Sequence, residues 1–212
     1  MHLILASASP RRAELLRSAG YTFAVVVADV DESIREAESP STYVRRLAAE
    51  KSAAAAIAAL KGCATSATAA VSPGSNVAQG FGAAETIILG ADTTVVVDGE
   101  ILGKPHDDEE GQQMLRRLSD KKHQVLTGLS LRQGAYEVGR VETTTVTFRA
   151  LTDEDISWYV ASGEGRDKAG GYAIQGLASR FIPRIAGSYS NVVGLPVACV
   201  DELLRSLLAS GR

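Results

Sequence analysis

The chain has 212 residues, of which 45% are hydrophobic and 22% are charged, a composition typical of a globular protein with its own core. Its net charge of −3 argues against a protein that binds nucleic acid through bulk positive charge, so an anionic ligand must be held by local cations. No apolar stretch approaches the roughly 18 residues that span a bilayer, and no signal peptide is visible. We therefore expect a cytoplasmic protein that binds neither membrane nor nucleic acid.

Periodicity and turn residues predict alternating helices and strands. In chain order these are a strand at 3–6, a helix at 10–20, a strand at 22–28, a helix at 40–61, strands at 86–97, 123–131 and 141–148, a helix ending near 118, and helices beginning near 152 and 196. Gly90 and Asp92 are expected to interrupt the strand at 86–97. The interleaving and the hairpin turns favour an α/β fold with a mixed twisted sheet and flanking helices.

Local signals also predict where helices begin and where the chain leaves the core. Ser9 is a hydroxyl N-cap before Pro10, and Asp107 with Glu110 has the spacing of a capping box. The segment 62–85 consists mostly of small residues with no charge before Glu85, which predicts a flexible surface insertion. We expect residues 1–212 to form one domain that carries this insertion.

The first candidate for chemistry is the turn that contains Ser7, Arg11 and Arg12, between a strand and a helix. A helix start offers free N–H groups and a partial positive charge, and hydroxyl and guanidinium groups add donors that match phosphate oxygens. An ordinary capped helix with solvated arginines explains the same pattern. The spacing therefore indicates phosphate binding without requiring it.

Lys51 and Asp92 are charged residues within apolar patterns. Lys51 shares a helix face with Val44 and Leu47, so it either extends to the rim of that face or reaches into a cleft. A carboxylate within a strand is costly to bury, so Asp92 needs a cation, a metal or a rim position. These alternatives stay open at this point.

Two loop residues are weaker candidates. Lys104 precedes a proline that fixes the backbone after a short strand, although lysine–proline pairs are common in exposed loops. Gln175 lies in a glycine-rich segment, and its amide can both donate to and accept from the edge of a nucleobase. The sequence contains no P-loop, no GxSxG elbow and no HExxH motif, which excludes those enzyme classes.

Five segments in the same order resemble the Maf family of nucleoside triphosphate pyrophosphatases. They read LILASASPRRAELL, ESPSTYVRRLAAEKSAAA, ILGADTTVVVDGEILGKP, MLRRLSDKKHQVLTGLSL and YVASGEGRDKAGGYAIQGLASRFIPRIAGSYSNVVGLP. The resemblance covers nearly the whole chain except 62–85. The last segment is similar to the branch of the family that cleaves dTTP and UTP.

The resemblance implies hydrolysis of a nucleoside triphosphate to the monophosphate and pyrophosphate, with a divalent metal, Mg²⁺ or Mn²⁺. It also implies two lobes around a central cleft, as in inosine triphosphatases, and a homodimer. The family's site residues fall on these positions: Asp92 as proton acceptor, Arg11, Thr93 and Gln175 for specificity, and Ser7, Arg12, Glu32, Lys51 and Lys104 elsewhere in the cleft.

The chemistry of these side chains agrees with that assignment. Arg11, Arg12, Lys51 and Lys104 can neutralise a triphosphate, and the hard oxygens of Glu32 and Asp92 suit Mg²⁺ or Mn²⁺. The sequence leaves open which carboxylate binds the metal and which accepts the proton of the attacking water. Two competing functions also remain, namely a nucleotide-binding regulator of septum formation with little catalysis and a nucleotidyltransferase.

Overall fold

The computed structural model describes residues 2–60 and 86–210, so the predicted insertion at 62–85 lies outside the described residues. The elements, in chain order, are β1 (His2–Ala6), α1 (Pro10–Ser18), β2 (Phe23–Val25), α2 (Pro40–Leu60), β3 (Thr86–Val97), β4 (Glu100–Leu102), α3 (Asp108–Leu118), β5 (Lys122–Gln133), β6 (Tyr136–Thr147), α4 (Asp153–Ala161), β7 (Arg184–Ala186), α5 (Tyr189–Val193) and α6 (Val197–Ser210). Two short 3-10 turns, Ala169–Gly171 and Leu177–Phe181, lie between α4 and β7.

The seven described strands form one sheet in the order β2-β1-β3-β5-β6-β7, with β4 paired to β3. β1 runs parallel to β2 and β3, whereas the other pairs are antiparallel. The predicted α/β fold with a mixed sheet and flanking helices is confirmed. In this part of the chain no helix is both long enough and apolar enough to cross a membrane.

Three predicted strands differ from the observed ones. The strand predicted at 141–148 begins at Tyr136, because it pairs with β5 from the turn onward. β3 is continuous through Gly90 and Asp92, because β5 pairs with it from Ile87 to Val96 and holds both residues in the ladder. The predicted interruption is therefore wrong. The predicted strand at 22–28 shortens to three residues, since β1, its partner, ends at Ala6.

The edge of β3 that faces β1 has an opening near its centre. β1 pairs with β3 as far as Gly90, and β4 pairs with that same edge only from Val95 onward. Among the described strands, residues 91–94 therefore have a neighbour on the β5 side alone. The opening lies outside the carboxyl end of β1, which is where α/β sheets commonly bind ligands.

Two large apolar clusters lie on either side of this opening. One joins β1, α1, α6 and the first half of β3, with Leu5 and Leu89 fully buried in it. The other joins α3, α4 and the second half of β3, and it includes Val95 and Tyr159. Asp92 lies on β3 between them, and the expected arrangement of two lobes around a central cleft stays a prediction.

Helix α2 crosses the sheet at close range because glycines face it. A Cβ atom at Gly90 would lie 2.1 Å from the carbonyl oxygen of Ala48, and one at Gly128 would lie 2.1 Å from that of Val44. Any larger side chain at these positions would push the helix away from the sheet. The two glycines therefore set how closely α2 approaches β3 and β5.

Helix α4 begins with a complete capping box of Thr152 and Asp155. Two other helix starts differ in detail from the predicted signals. Asp107 accepts from the Glu110 amide at 2.8 Å, but the Glu110 carboxylate accepts from the His106 amide at 2.7 Å instead of that of Asp107. The predicted capping box is therefore wrong in one of its two hydrogen bonds, the one from the Asp107 amide to the Glu110 carboxylate. Ser9 has extended backbone before α1, but its hydroxyl makes no capping hydrogen bond.

Gly128→Ala is expected to lower the free energy of unfolding by about 1–3 kcal/mol, because the new methyl group meets a helix carbonyl that cannot rotate away. Gly103→Ala is the matched control, since a Cβ there meets no atom within 4 Å. The free energies of unfolding of both variants are measured by urea unfolding followed by circular dichroism. Equal stability of Gly128→Ala and the wild type would contradict the close packing of α2.

Candidate active site

Arg12, in the first turn of α1, joins three parts of the chain at the opening in the sheet. Its Nη1 donates to Ser7 Oγ at 3.1 Å and to the carbonyl oxygen of Ala91 at 2.8 Å. Its Nη2 donates to Thr93 Oγ1 at 2.9 Å, and its Nε donates to the carbonyl oxygen of Gly194 at 2.8 Å. The guanidinium therefore supplies a hydrogen bond to β3 at a point where no described strand pairs with that edge.

This arrangement changes how Arg12 can act on an anion. Four of the five N–H donors of a guanidinium are engaged here by the protein itself. Burial lowers the pKa of Arg12 and the nearby charge of Asp92 opposes that shift, while an arginine remains charged in proteins. Arg12 thus brings positive charge to the opening and holds Ser7 and Thr93 in place, with little capacity left for a direct phosphate fork.

Lys51 lies between two carboxylates. Its side chain leaves α2 toward the opening, and its Nζ lies 2.6 Å from Glu32 Oε1 and 2.7 Å from Asp92 Oδ1. Only 9% of Lys51 and 7% of Asp92 are exposed. The sequence allowed either a rim position or a cleft position for this lysine, and the structure places it in the cleft.

The two carboxylates differ in acidity because their surroundings differ. Burial raises the pKa of Asp92 above its usual range, although Lys51 and Arg12 oppose that shift. Burial also raises the pKa of Glu32, but the hydrogen bond and charge of Lys51 outweigh it, so the pKa of Glu32 is lowered. The surroundings therefore shift the pKa values of the two carboxylates in opposite directions.

Arg11 and Lys104 bring further positive charge to the same region. Arg11 is partly buried, and burial lowers its pKa while the nearby charge of Asp167 raises it. Its own charge acts on the pKa of Arg12. Lys104 is exposed in the loop after β4, and its charge helps to lower the pKa of Glu32. Both cations therefore act electrostatically on the residues around the opening.

Gln175 is exposed on the segment that joins the two 3-10 turns. Tyr159 holds this segment by accepting from the Ala173 amide at 3.1 Å, and Glu164 holds it by accepting from the Leu177 amide at 2.9 Å. A groove of about 450 Å³ runs beside Gln175, lined also by Ile174, Ser179, Ile182, Pro183, Arg184, Ile185 and Tyr189. None of these lining residues belongs to the cluster of Glu32, Lys51 and Asp92.

Glu32 and Asp92 have the chemistry to hold a divalent cation. Both present hard carboxylate oxygens, and their contacts with one ammonium nitrogen show that they converge on a single cationic position. In the part of the chain that the structure describes, no three His, Cys, Asp or Glu side chains form a cage. Mg²⁺ commonly binds through one or two carboxylates and completes its shell with water and substrate phosphates, so the pair fits such an ion.

Three groups near the site were missed by the sequence analysis. The Gly194 carbonyl binds Arg12, and a backbone oxygen carries no side-chain signal. Tyr43 and Arg46 contact the loop that carries Glu32. The i to i+4 spacing of Arg46 and Glu50 predicts only an ordinary pair on a helix surface. That spacing does not indicate that Arg46 also binds carbonyl groups of the loop before its own helix.

These features define an α/β protein with a charged cleft at the carboxyl end of a parallel strand. The model of the family described as Maf-like protein matches residues 2–207, and the chain belongs to this family.

Several curated relatives are named dTTP/UTP pyrophosphatase. The protein from Symbiobacterium thermophilum is 48% identical over 95% of this chain and 92% of its own length. Those from Vibrio vulnificus and Escherichia coli O157:H7 are 44% and 45% identical, each over 98% of this chain and over 100% and 93% of their own lengths. A solved structure, that of the Staphylococcus aureus Ham1 protein, aligns with a TM-score of 0.40 at 14% identity over 70% of this chain and 72% of its own, which is too weak a similarity to assign a fold.

Lys51→Met is expected to lower the free energy of unfolding by about 3–5 kcal/mol at neutral pH, because it leaves Asp92 buried without its counter-ion. Losing Lys51 raises the folded-state pKa of Asp92 further above the unfolded value. In the folded variant the Asp92 carboxyl therefore binds a proton more tightly than it does in the unfolded chain. The stability that Lys51→Met loses relative to the wild type then becomes smaller as the pH falls toward about 4. Urea unfolding at several pH values measures this trend.

Lys121→Met is the matched control, since Lys121 forms an exposed ion pair with Asp98. We expect it to cost about 0–1 kcal/mol. A deficit of Lys51→Met that grows on acidification would contradict the role of Lys51 as the counter-ion of Asp92.

Proposed function

We propose that this chain is a nucleoside triphosphate pyrophosphatase that hydrolyses dTTP and UTP to the nucleoside monophosphate and pyrophosphate. The observation that carries the proposal is the buried Asp92, held by Lys51 and lying beside Arg12 at the opening in the sheet. Membership of the Maf-like family and the names of relatives at 44–48% identity support it. The substrate names come from those relatives.

In the proposed reaction, a water molecule attacks the α-phosphorus and the bond to the oxygen that bridges the α- and β-phosphorus breaks. The electron pair of that bond leaves with pyrophosphate, and the water proton passes to a carboxylate. We assign this acceptor role to Asp92, because it lies buried at the opening in the sheet and its pKa is raised, whereas the pKa of the exposed Glu32 is lowered. Glu32 then serves mainly as a ligand.

The cations of the cleft would neutralise the triphosphate. Phosphoryl transfer depends more on charge neutralisation and positioning than on covalent help from the protein. Arg11 and Lys104 are the cations with the most freedom to contact phosphate oxygens, since Arg12 donates mainly to protein groups and Lys51 bridges two carboxylates. A Mg²⁺ or Mn²⁺ ion, held by Glu32 and Asp92, would supply further neutralisation when bound.

The nucleobase of the substrate would be recognised by residues other than the carboxylates. Gln175 lines an open groove, and its amide can donate to O4 and accept from N3–H of thymine or uracil. Thr93 is bound by Arg12 and lies 3.2 Å from the Gly194 carbonyl, so its effect on specificity would come through the shape of the cleft. The expected homodimer and cytoplasmic location stay predictions.

Asp92→Asn is expected to lower kcat for dTTP by about 10²–10⁴-fold, the usual contribution of a positioned general base. The variant should fold normally, because asparagine can still accept a hydrogen bond from Lys51. In the wild type, kcat/KM should fall as the pH drops through the raised pKa of Asp92, since the protonated acid cannot accept a proton. Pyrophosphate release with Mg²⁺ or Mn²⁺ and a panel of triphosphates measures both effects.

Asp98→Asn is the matched control, because Asp98 lies in the exposed turn after the same strand. Near-normal pyrophosphate release by Asp92→Asn would refute the proton-acceptor role. Tight binding of dTTP by the wild type without any product would favour the regulator over the enzyme. Product formation only when a second substrate is supplied would favour the nucleotidyltransferase.

Gln175→Glu is expected to lower the ratio of kcat/KM for dTTP to that for dCTP by about tenfold or more. The carboxylate cannot donate to O4 of thymine, but it can accept from the amino group of cytosine. Gln113→Glu makes the same change at an exposed position on α3 and should leave the ratio unchanged. An unchanged substrate ranking in Gln175→Glu would remove Gln175 from the specificity role.

A further inference from the structure

The loop that carries Glu32 joins β2 to α2, and the described residues between Val26 and Ser39 form neither helix nor strand. Glu32 itself is exposed along its side chain, with 53% accessible, so burial does not hold it in place. Its carboxylate nevertheless lies 2.6 Å from Lys51 Nζ. Other groups must therefore fix the backbone of this loop.

Two side chains from one turn of α2 hold three consecutive carbonyl oxygens of the loop. Arg46 donates through Nη2 to the carbonyl of Ser33 at 3.0 Å and through Nη1 to that of Asp31 at 3.5 Å. The Tyr43 hydroxyl donates to the carbonyl of Glu32 itself at 2.9 Å. The Arg46 guanidinium also lies over the Tyr43 ring, 5.6 Å from its centroid.

A bidentate ion pair ties the far end of the loop to the same arginine. Arg46 Nε lies 2.7 Å from Glu38 Oε1, and Arg46 Nη2 lies 2.8 Å from Glu38 Oε2. These side chains are only 11% and 5% exposed, so solvent screens the pair much less than an ordinary surface ion pair. Glu50 adds a contact to Arg46 at 3.2 Å from the same helix.

We propose that Arg46 and Tyr43 are positioning residues that hold Glu32 in the place where it binds the divalent metal. The inference rests on the proposed function, because it assigns a role in the same site. Helix α2 then binds the loop at two places. Tyr43 and Arg46 donate to carbonyl groups of residues 31–33, and Lys51 donates to the Glu32 carboxylate. Since Lys51 also holds Asp92, one helix sets both carboxylates relative to each other.

The physical consequence is preorganisation of the metal site. A ligand on a loop that must be ordered at binding lowers affinity, because the ordering entropy is subtracted from the binding free energy. Groups that orient metal ligands without touching the ion typically contribute 10–100-fold in metal affinity. We therefore expect loss of Arg46 to weaken metal binding by about tenfold.

The test compares Arg46→Gln with Arg45→Gln. Arg45 is the adjacent residue on α2 and also forms a partly buried ion pair, in which its Nη2 donates to both carboxylate oxygens of Glu137 on the sheet. Its hydrogen bonds go to the sheet and not to the loop. Both variants should lose stability, whereas only Arg46→Gln should raise the Mn²⁺ dissociation constant about tenfold. Free Mn²⁺ is measured by electron paramagnetic resonance in the presence of α,β-methylene dTTP, which cannot be cleaved at the bond in question.

Tyr43→Phe is the second variant, in case Arg46→Gln does not fold. It removes only the hydrogen bond to the Glu32 carbonyl, so we expect a smaller rise in the Mn²⁺ dissociation constant, of about threefold. Hydrogen exchange gives a readout that needs neither metal nor substrate. Backbone amides of residues 31–38 should exchange faster in Arg46→Gln and in Tyr43→Phe than in Arg45→Gln or the wild type.

The outcomes separate this inference from the proposed function. Wild-type Mn²⁺ binding that is unchanged in Arg46→Gln and Tyr43→Phe, with unchanged exchange of the loop, would overturn the positioning role alone. A wild type that neither cleaves dTTP nor binds Mn²⁺ would contradict the proposed function, and the inference would fail with it. Glu32→Gln provides the reference change in the Mn²⁺ dissociation constant, because it removes the metal ligand itself.

Discussion

The ammonium group of Lys51 between Glu32 and Asp92 is the interaction on which the rest of this site depends. Two carboxylates that converge at one point repel each other, and burial of Asp92 adds a desolvation cost. A single cation in hydrogen-bond contact with both offsets these costs. The two acids also differ, because burial dominates at Asp92 and raises its pKa, whereas nearby cations outweigh burial at Glu32 and lower its pKa. Acids with different surroundings can take different roles in one reaction.

That interaction requires a helix to approach the sheet more closely than ordinary side chains allow. Gly90 and Gly128 supply the space, and the carbonyl oxygens of α2 occupy it. The same helix carries Arg46 and Tyr43, which hold the loop of Glu32. The cluster lies at the opening in the edge of β3, where none of the described strands pairs with residues 91–94 on the side of β1 and β4. Backbone packing and site chemistry are thus two consequences of one helix position.

Local sequence patterns were sufficient for most of the secondary structure and for the chemical types in the site. Alternation and capping residues predicted the helices and the long hairpin of β5 and β6, because these signals act within a few residues. Charged residues in apolar patterns identified Lys51 and Asp92, since burying such groups requires a partner. The sequence pattern gave a wrong prediction at Gly90. A glycine near a carboxylate indicated a break in the strand, but β5 pairs with β3 on both sides of Gly90 and keeps the strand continuous.

The sequence by itself determined the α/β class, the family resemblance and the set of polar residues around the cleft, because composition, periodicity and motif order are all properties of the linear chain. Only the tertiary structure decided which of those residues meet. It showed Arg12 engaged by Ser7, Thr93 and two carbonyl groups, and it placed Gln175 beside a groove that the carboxylate cluster does not line. Contacts between residues 41 or 182 positions apart depend on how helices pack on the sheet, and no local pattern encodes that packing.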